Sequence, residues 1–147
     1  ATGSLDDYLV GLELRVKPGI AQESDIERLA QMAAKTNQFN ATTIRRTKED
    51  FAALLHDASK RIYVFRASDR FVDQGLVCYV IADLNRRRIT DFVMSCRAMG
   101  RTLEHFAFAY VAADLGFEPA VDFTPSAKNT PFRLFLESGM RGKTFYR

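Results

Sequence analysis

The stretch Gly75-Leu76-Val77-Cys78-Tyr79-Val80-Ile81-Ala82 is a nearly continuous apolar run. A run of this length, rich in β-branched and aromatic residues, reads as a strand buried on both faces. Such a strand requires a sheet with a covering layer above it and another below. Its neighbours fit that requirement. Arg61 to Ala67 alternates, with Ile62, Val64 and Arg66 on one side and Tyr63, Phe65 and Ala67 on the other. Asp83-Leu84-Asn85-Arg86 reads as a turn, and Ile89 to Cys96 as a further strand.

The covering layers are sought in helices. Ser24-Asp25-Ile26-Glu27 has the Ser-x-x-Glu form of a capping box, with Ile26, Leu29, Ala30 and Ala33 at helical spacing behind it. This helix is expected to end near Thr36-Asn37. Thr47 reads as a second cap, followed by Glu49 and Asp50 at the positive helix end and an apolar stripe of Phe51, Leu54, Leu55 and Ala58. Thr102 to Leu115 is apolar almost all round, which predicts a central buried helix stopped by Gly116. Pro131 to Glu137 predicts a short helix with Gly139 beyond its end.

Three short strands complete the pattern: Leu12 to Val16, stopped by Pro18-Gly19; Ala120 to Phe123; and Lys143 to Arg147. The expected order is β-α-α-β-β-β-α-β-α-β, an α/β (α+β) fold with a mixed, mostly antiparallel sheet flanked by helices. Residues 1–10 read as a linker or a remnant, and 11–147 as one domain. The start, Ala1-Thr2-Gly3-Ser4, has no Met, so a longer natural chain is expected.

With 147 residues and 47% hydrophobic side chains, the chain can bury a core as one domain. A net charge of +3 gives no argument for nucleic acid. No apolar run reaches the roughly eighteen residues of a membrane-spanning helix, and no signal peptide is visible. The basic residues are scattered except for Arg86-Arg87-Arg88, which reads either as a solvated turn or as a docking point for an anionic partner. Cys78 and Cys96 form no CxxC pair and have no His nearby, so no metal site is expected. Both read as buried reduced thiols, which suits a cytoplasmic protein.

One stretch carries chemistry. In Ser95-Cys96-Arg97-Ala98-Met99-Gly100-Arg101-Thr102 a strand runs into a glycine-containing loop that opens a helix. The first turn of a helix has N–H groups without internal partners, and its dipole favours a phosphate. Arg97 and Arg101 add positive charge at that end. The alternative is that both arginines face solvent and Gly100 only makes a turn.

Arg97-Ala98-Met99-Gly100-Arg101-Thr102 resembles the Arg/Gln-x-x-Gly-x-Gly/Ala pyrophosphate loop of the GNAT acyltransferases. Asn129 to Met140 looks like that family's late Asn-to-Gly-Phe segment. The match is closer to the C-terminal GNAT-like domain of FkbH-like (HAD-superfamily IIIC) proteins. It is carried by Thr36-Asn37-Gln38-Phe39-Asn40-Ala41-Thr42-Thr43, Ser68-Asp69-Arg70-Phe71, Met94-Ser95-Cys96-Arg97 and Pro125-Ser126-Ala127-Lys128-Asn129. The resemblance implies a domain that binds a phosphopantetheine thioester, from coenzyme A or an acyl carrier protein. It also implies a HAD-like phosphatase region upstream and a role in loading a glyceryl unit onto the carrier. The HAD nucleophile motif is absent from these residues. The implied cofactor-binding residues are Cys96, Arg97, Met99, Gly100, Arg101, Thr102 and Asn129.

Two departures stand out. Thr102 occupies a position where Gly or Ala is usual. Leu136 stands where these enzymes often carry the Tyr that protonates the departing thiolate, and neither Tyr110 nor Tyr146 matches that position. Asp91 is the candidate catalytic residue, as a general base or an anchor for an acceptor amine, against a simple paired carboxylate. Asn37, Gln38, Asn40 and Ser95 are candidates to line the substrate pocket, against local turn chemistry. His105, His56 and Cys96 are weaker candidates for catalysis. The runner-up function is a non-catalytic carrier-docking module, and the third is a scaffold. The third is favoured if the chain itself fills the cleft between the strands ending at Cys96 and Phe123.

Overall fold

The computed structural model describes residues 14–100 and 102–140. The elements are β1 (Arg15–Ile20), a 3-10 turn (Glu23–Asp25), α1 (Ile26–Lys35), α2 (Lys48–Leu55), β2 (Lys60–Ser68), β3 (Asp73–Asp83) and β4 (Arg88–Met94). A second 3-10 turn (Cys96–Ala98), α3 (Leu103–Leu115), β5 (Ala120–Val121) and α4 (Thr130–Glu137) follow. The sheet order is β1-β2-β3-β4-β5. The first three pairings are antiparallel and β4–β5 is parallel.

The doubly buried run behaves as expected, because the sheet divides the core in two. Val77, Cys78, Val80 and Ala82 of β3 pack towards α3 and α4, with Leu103, Phe108, Val111, Phe132 and Phe135. Leu76, Tyr79 and Ile81 pack towards α1 and α2, with Leu29, Met32 and Phe51. Val77 and Cys78 share a face because the β2–β3 register shifts between Phe65 and Arg66. The β2 alternation is as read, with Ile62 and Val64 on one face and Tyr63, Phe65 and Ala67 on the other.

Several boundaries move. β1 runs through Pro18 and Gly19 instead of stopping there. It is the edge strand next to β2, where a residue without an N–H is tolerated. The Ser24/Glu27 capping box is not formed: the Gln22 N–H donates to Asp25 Oδ2 (3.0 Å), and the 3-10 turn precedes α1. The second cap forms as read, with the Asp50 N–H donating to Thr47 Oγ1 (3.1 Å) and the Thr47 N–H to Asp50 Oδ2 (2.9 Å). Ala58 lies beyond the end of α2. α3 buries one side only, through Leu103, Ala107, Phe108, Val111 and Ala112, and ends at Gly116 with φ +80°. β4 ends at Met94, so Cys96 leaves the sheet and is exposed, while Cys78 is buried. The β5 strand keeps only Ala120–Val121. The expected last strand, Tyr146 and residues 1–10 lie outside the described residues. Among the described residues no helix is long and apolar enough to cross a membrane.

Candidate functional site

Beyond β4, the Ser95 N–H still donates to Val77 O of β3 (2.7 Å), and the chain then turns sharply. The Ala98 and Met99 N–H groups close the turn on Ser95 O (3.0 Å) and Cys96 O (3.2 Å). Gly100 has φ +81° and Thr102 φ +64°, a conformation uncommon for a β-branched residue. The loop therefore delivers the N-terminus of α3 next to exposed Arg97. Burial, and then the charge of Arg97, hold the Arg28 guanidinium below its ordinary pKa, while its Nε donates to Leu76 O (3.1 Å) and its Nη1 to Gln31 Oε1 (2.7 Å). Gln38 reaches the same place, with Oε1 3.8 Å from Cys96 Sγ. Met99 packs onto the α3/α4 core. Arg101 is outside the described residues.

Between the ends of β4 and β5 the chain fills its own cleft. Phe39–Ala41 lies antiparallel against the free edge of β4, bridging Asn40 to Val93. The Met94 N–H donates to Phe39 O and the Ala41 N–H to Phe92 O, each at 3.0 Å. On its other side Ala41 O accepts from the Thr124 N–H (2.9 Å). The Phe39 ring sits 4.8 Å from Phe132, 5.3 Å from Phe135 and 5.6 Å from Phe92.

The asparagines expected to meet ligands serve this plug. Asn40 is 1% exposed; its Nδ2 donates to Thr36 O (3.1 Å) and its Oδ1 accepts from the Thr43 N–H (2.8 Å). Asn129, also 1% exposed, donates to Asn40 O (3.0 Å) and Thr124 O (2.9 Å) and accepts from the Ser126 N–H (2.8 Å). Asn37 accepts from Arg45, which also donates to Ala33 O and Thr36 O (2.7 Å each) at the end of α1. Asn40 thus makes local turn contacts, whereas Asn129 stands at the start of α4 without a side-chain cap bond and ties the Asn40 and Thr124 backbones together instead. Leu136 packs against the α3/α4 core, and His105 Nδ1 lies 3.0 Å from Met140 O.

The other end of β4 is open. Ile89 and Phe92 both face the α3/α4 core, although three residues apart in a regular strand they would face opposite ways. The register with β3 slips here, since Ala82 pairs with Ile89 and Ile81 with Asp91, leaving Thr90 as a bulge. The bulge lets neighbouring side chains meet, so Thr90 Oγ1 donates to Asp91 Oδ1 (2.8 Å). Asp91 is 1% exposed and takes Arg46 in a two-pronged pair, Nε to Oδ2 at 2.6 Å and Nη2 to Oδ1 at 2.8 Å. Both oxygens of the candidate base are thus occupied, and Asp91 positions Arg46.

Arg46 and Thr90 border an open cavity of about 620 Å³, with Lys60, Arg86, Arg88 and Thr42 around it. Lys60 pairs with Asp83 (2.8 Å) and Arg88 with Asp122 (2.6 Å). Asp83 is held below its ordinary pKa by the Lys60 hydrogen bond and the Arg86 N–H. Of the arginine triplet, Arg87 lies over the Phe117 ring at 3.7 Å, so only Arg86 and Arg88 reach the cavity. Sequence reading passed over Arg46 and Lys60. The available signal was Arg45-Arg46 directly before the Thr47 cap, a pair with no part in either helix stripe.

This arrangement of β1–β5 and four helices is the GNAT fold. The chain is similar to a transcriptional regulator from Bacillus halodurans C-125, at 15% identity over 90% of this chain and 96% of that one, with a TM-score of 0.55. A possible acetyltransferase from Clostridium difficile 630 is similar at 10% identity over 90% and 93%, with a TM-score of 0.52. A ribosomal-protein-alanine N-acetyltransferase from Brucella melitensis biovar Abortus 2308 gives 16% over 84% and 90%, with a TM-score of 0.49. No protein-family model and no curated protein matches the sequence. At these identities the shared property is the fold, and function has to be argued from the site.

Proposed function

We propose that this domain binds a phosphopantetheine thioester, presented by coenzyme A or by an acyl carrier protein. In this reading residues 11–147 are the acyltransferase-like part of a longer cytoplasmic FkbH-type protein, with a HAD-like region upstream and a glyceryl-carrier-loading role. The observation that carries it is the tight turn from Ser95 to Gly100, which holds Arg97 and leads into α3. The helix dipole and the Arg97 guanidinium make a field that favours a phosphate. Arg97→Ala is expected to weaken binding by about 1–3 kcal/mol. Calorimetry with coenzyme A and with a phosphopantetheinylated carrier tests this, and absence of binding to both at millimolar concentration overturns it.

The scaffold reading is favoured by the Phe39–Ala41 plug, and a non-catalytic docking module stays the runner-up. The scaffold and the thioester reading separate by hydrogen exchange at the Met94 and Ala41 amides, which pair across the plugged edge. Loss of their protection when coenzyme A binds means that the arm replaces the plug. Binding with protection unchanged puts the arm outside the plugged edge, and no binding with protection unchanged supports the scaffold.

Acyl transfer breaks the C–S bond, and the departing thiolate must gain a proton. Proton donation of this kind contributes about 10²–10⁴-fold in rate, and Leu136 has nothing to donate. The isolated domain is therefore expected to release thiol slowly or not at all, with Leu136→Tyr raising any residual rate. Brisk release with an identified acceptor shows that another group or a water supplies the proton. Asp91 enters this reading through the Arg46 guanidinium it holds.

A further inference from the structure

The cavity beside the Thr90 bulge is separated from the Arg97 loop by the plug. Thr90 and Ser95 are five residues apart, about 17 Å at strand rise. Three of its cations are oriented by carboxylates. Asp91 takes Nε and Nη2 of Arg46, Asp122 takes Nε of Arg88, and Asp83 takes Lys60. These pairs leave Arg46 Nη1, both terminal nitrogens of Arg88 and the remaining Lys60 N–H groups to spare. Arg86 adds a fourth positive charge at the exposed rim. Asp83 and Asp122 also border the cavity, so with Asp91 behind Arg46 four cations stand against three carboxylates.

A further observation points to a missing partner. Thr42 lines the cavity, and its Oγ1, buried beneath that wall, makes no hydrogen bond among the described residues. A buried hydroxyl left in this state is destabilising until something completes it. Thr90 borders the same cavity, with its hydroxyl donated to Asp91.

We infer that this cavity binds a phosphate group, as the free ion or as a small phosphate monoester. A carboxylate is planar and is satisfied by one guanidinium fork. The donors here come from three guanidinium groups and an ammonium on different elements, which suits a group with several strongly accepting oxygens. The inference rests on the cavity's own side chains and is independent of the thioester reading.

The test is a titration of the isotope-labelled chain with inorganic phosphate and, separately, with methyl phosphate, read at backbone amides. Saturable shifts centred on Thr42, Thr90 and Asp122 are expected, weakening as salt is raised. Tighter binding of methyl phosphate assigns the site to an organic monoester, and tighter binding of phosphate to the free ion. Arg88→Gln should weaken binding about tenfold or more. Arg86→Gln should weaken it several-fold with the melting temperature unchanged, which a merely structural role would not produce. Shifts that never saturate at millimolar ligand, or that centre on Arg97 and Gly100, overturn the inference. Coenzyme A in a parallel titration reports on the thioester reading by itself, through the Arg97 and Gly100 amides.

Discussion

At its C-terminal end, β4 gives its free edge to Phe39–Ala41 and seals the contact with rings from Phe92, Phe132 and Phe135. At its N-terminal end the same strand bulges at Thr90, and its neighbours are Arg46, Asp91 and Lys60 around an open cavity. One end satisfies its polar backbone with more backbone and excludes water. The other leaves charged side chains facing solvent. The difference shows what a broken alternation does: the bulge turns a polar pair, Thr90 and Asp91, onto one side.

The sealed end should carry the larger share of stability. Phe39 is 2% exposed and touches three other rings, so Phe39→Ala is expected to cost about 3–5 kcal/mol. Denaturant unfolding measures it, and a loss below about 1 kcal/mol would mean that the plug contributes little. At the open end, Asp91→Asn leaves Arg46 without its counter-ion and is expected to cost about 3 kcal/mol. If Asp91→Asn proves the more damaging of the two, the ranking of the ends is reversed.

Legibility in the sequence follows the same division. Long elements were readable because their signals are local: the Gly75–Ala82 run, the Thr47 cap, Gly116 after α3, and Pro131 and Gly139 around α4. The Ser95–Thr102 turn could be placed for the same reason. The plug could not, since three residues pairing with a strand about fifty residues later leave no periodic trace. That pairing decides what Asn40 and Asn129 do, so their proposed ligand contacts could not be weighed from sequence. The open cavity was hidden by a bulge of a single residue, whose only mark is the broken alternation from Ile89 to Phe92.

The helix that backs the sealed end gives a pH-dependent check. The Tyr63 hydroxyl donates to Asp114 of α3 at 2.5 Å. Burial first, and this hydrogen bond second, raise its pKa from 10.0 to about 12. A raised folded pKa means that the contribution is fully present below about pH 10, where the unfolded phenol is also neutral, and is lost as pH climbs towards 12. Tyr63→Phe removes that slope. The stability curves of the two proteins should therefore run parallel below about pH 10 and converge above it. Parallel curves throughout would mean that Tyr63 titrates normally.

The smallest effect on stability is the most informative about ligand binding, and it uses two glycines at opposite ends of α3. Gly100 has φ +81° and Gly116 φ +80°, and a Cβ built on either meets nothing within 4 Å. Substitution by alanine therefore has no steric term at either position. What remains is the cost of holding an L residue in the left-handed region, about 1 kcal/mol each. Gly100→Ala and Gly116→Ala should shift the unfolding midpoint alike. Their effects on coenzyme A should differ. Gly100 lies in the loop proposed to present its backbone to the phosphates, where an added methyl group restricts approach, whereas Gly116 lies at the far end of the helix. A loss of affinity of about tenfold for Gly100→Ala, with none for Gly116→Ala, places the ligand at the loop by a difference that stability cannot produce. Equal affinities in the two variants would mean that the loop's glycine serves only the turn, as the plug at the neighbouring strand edge serves only the fold.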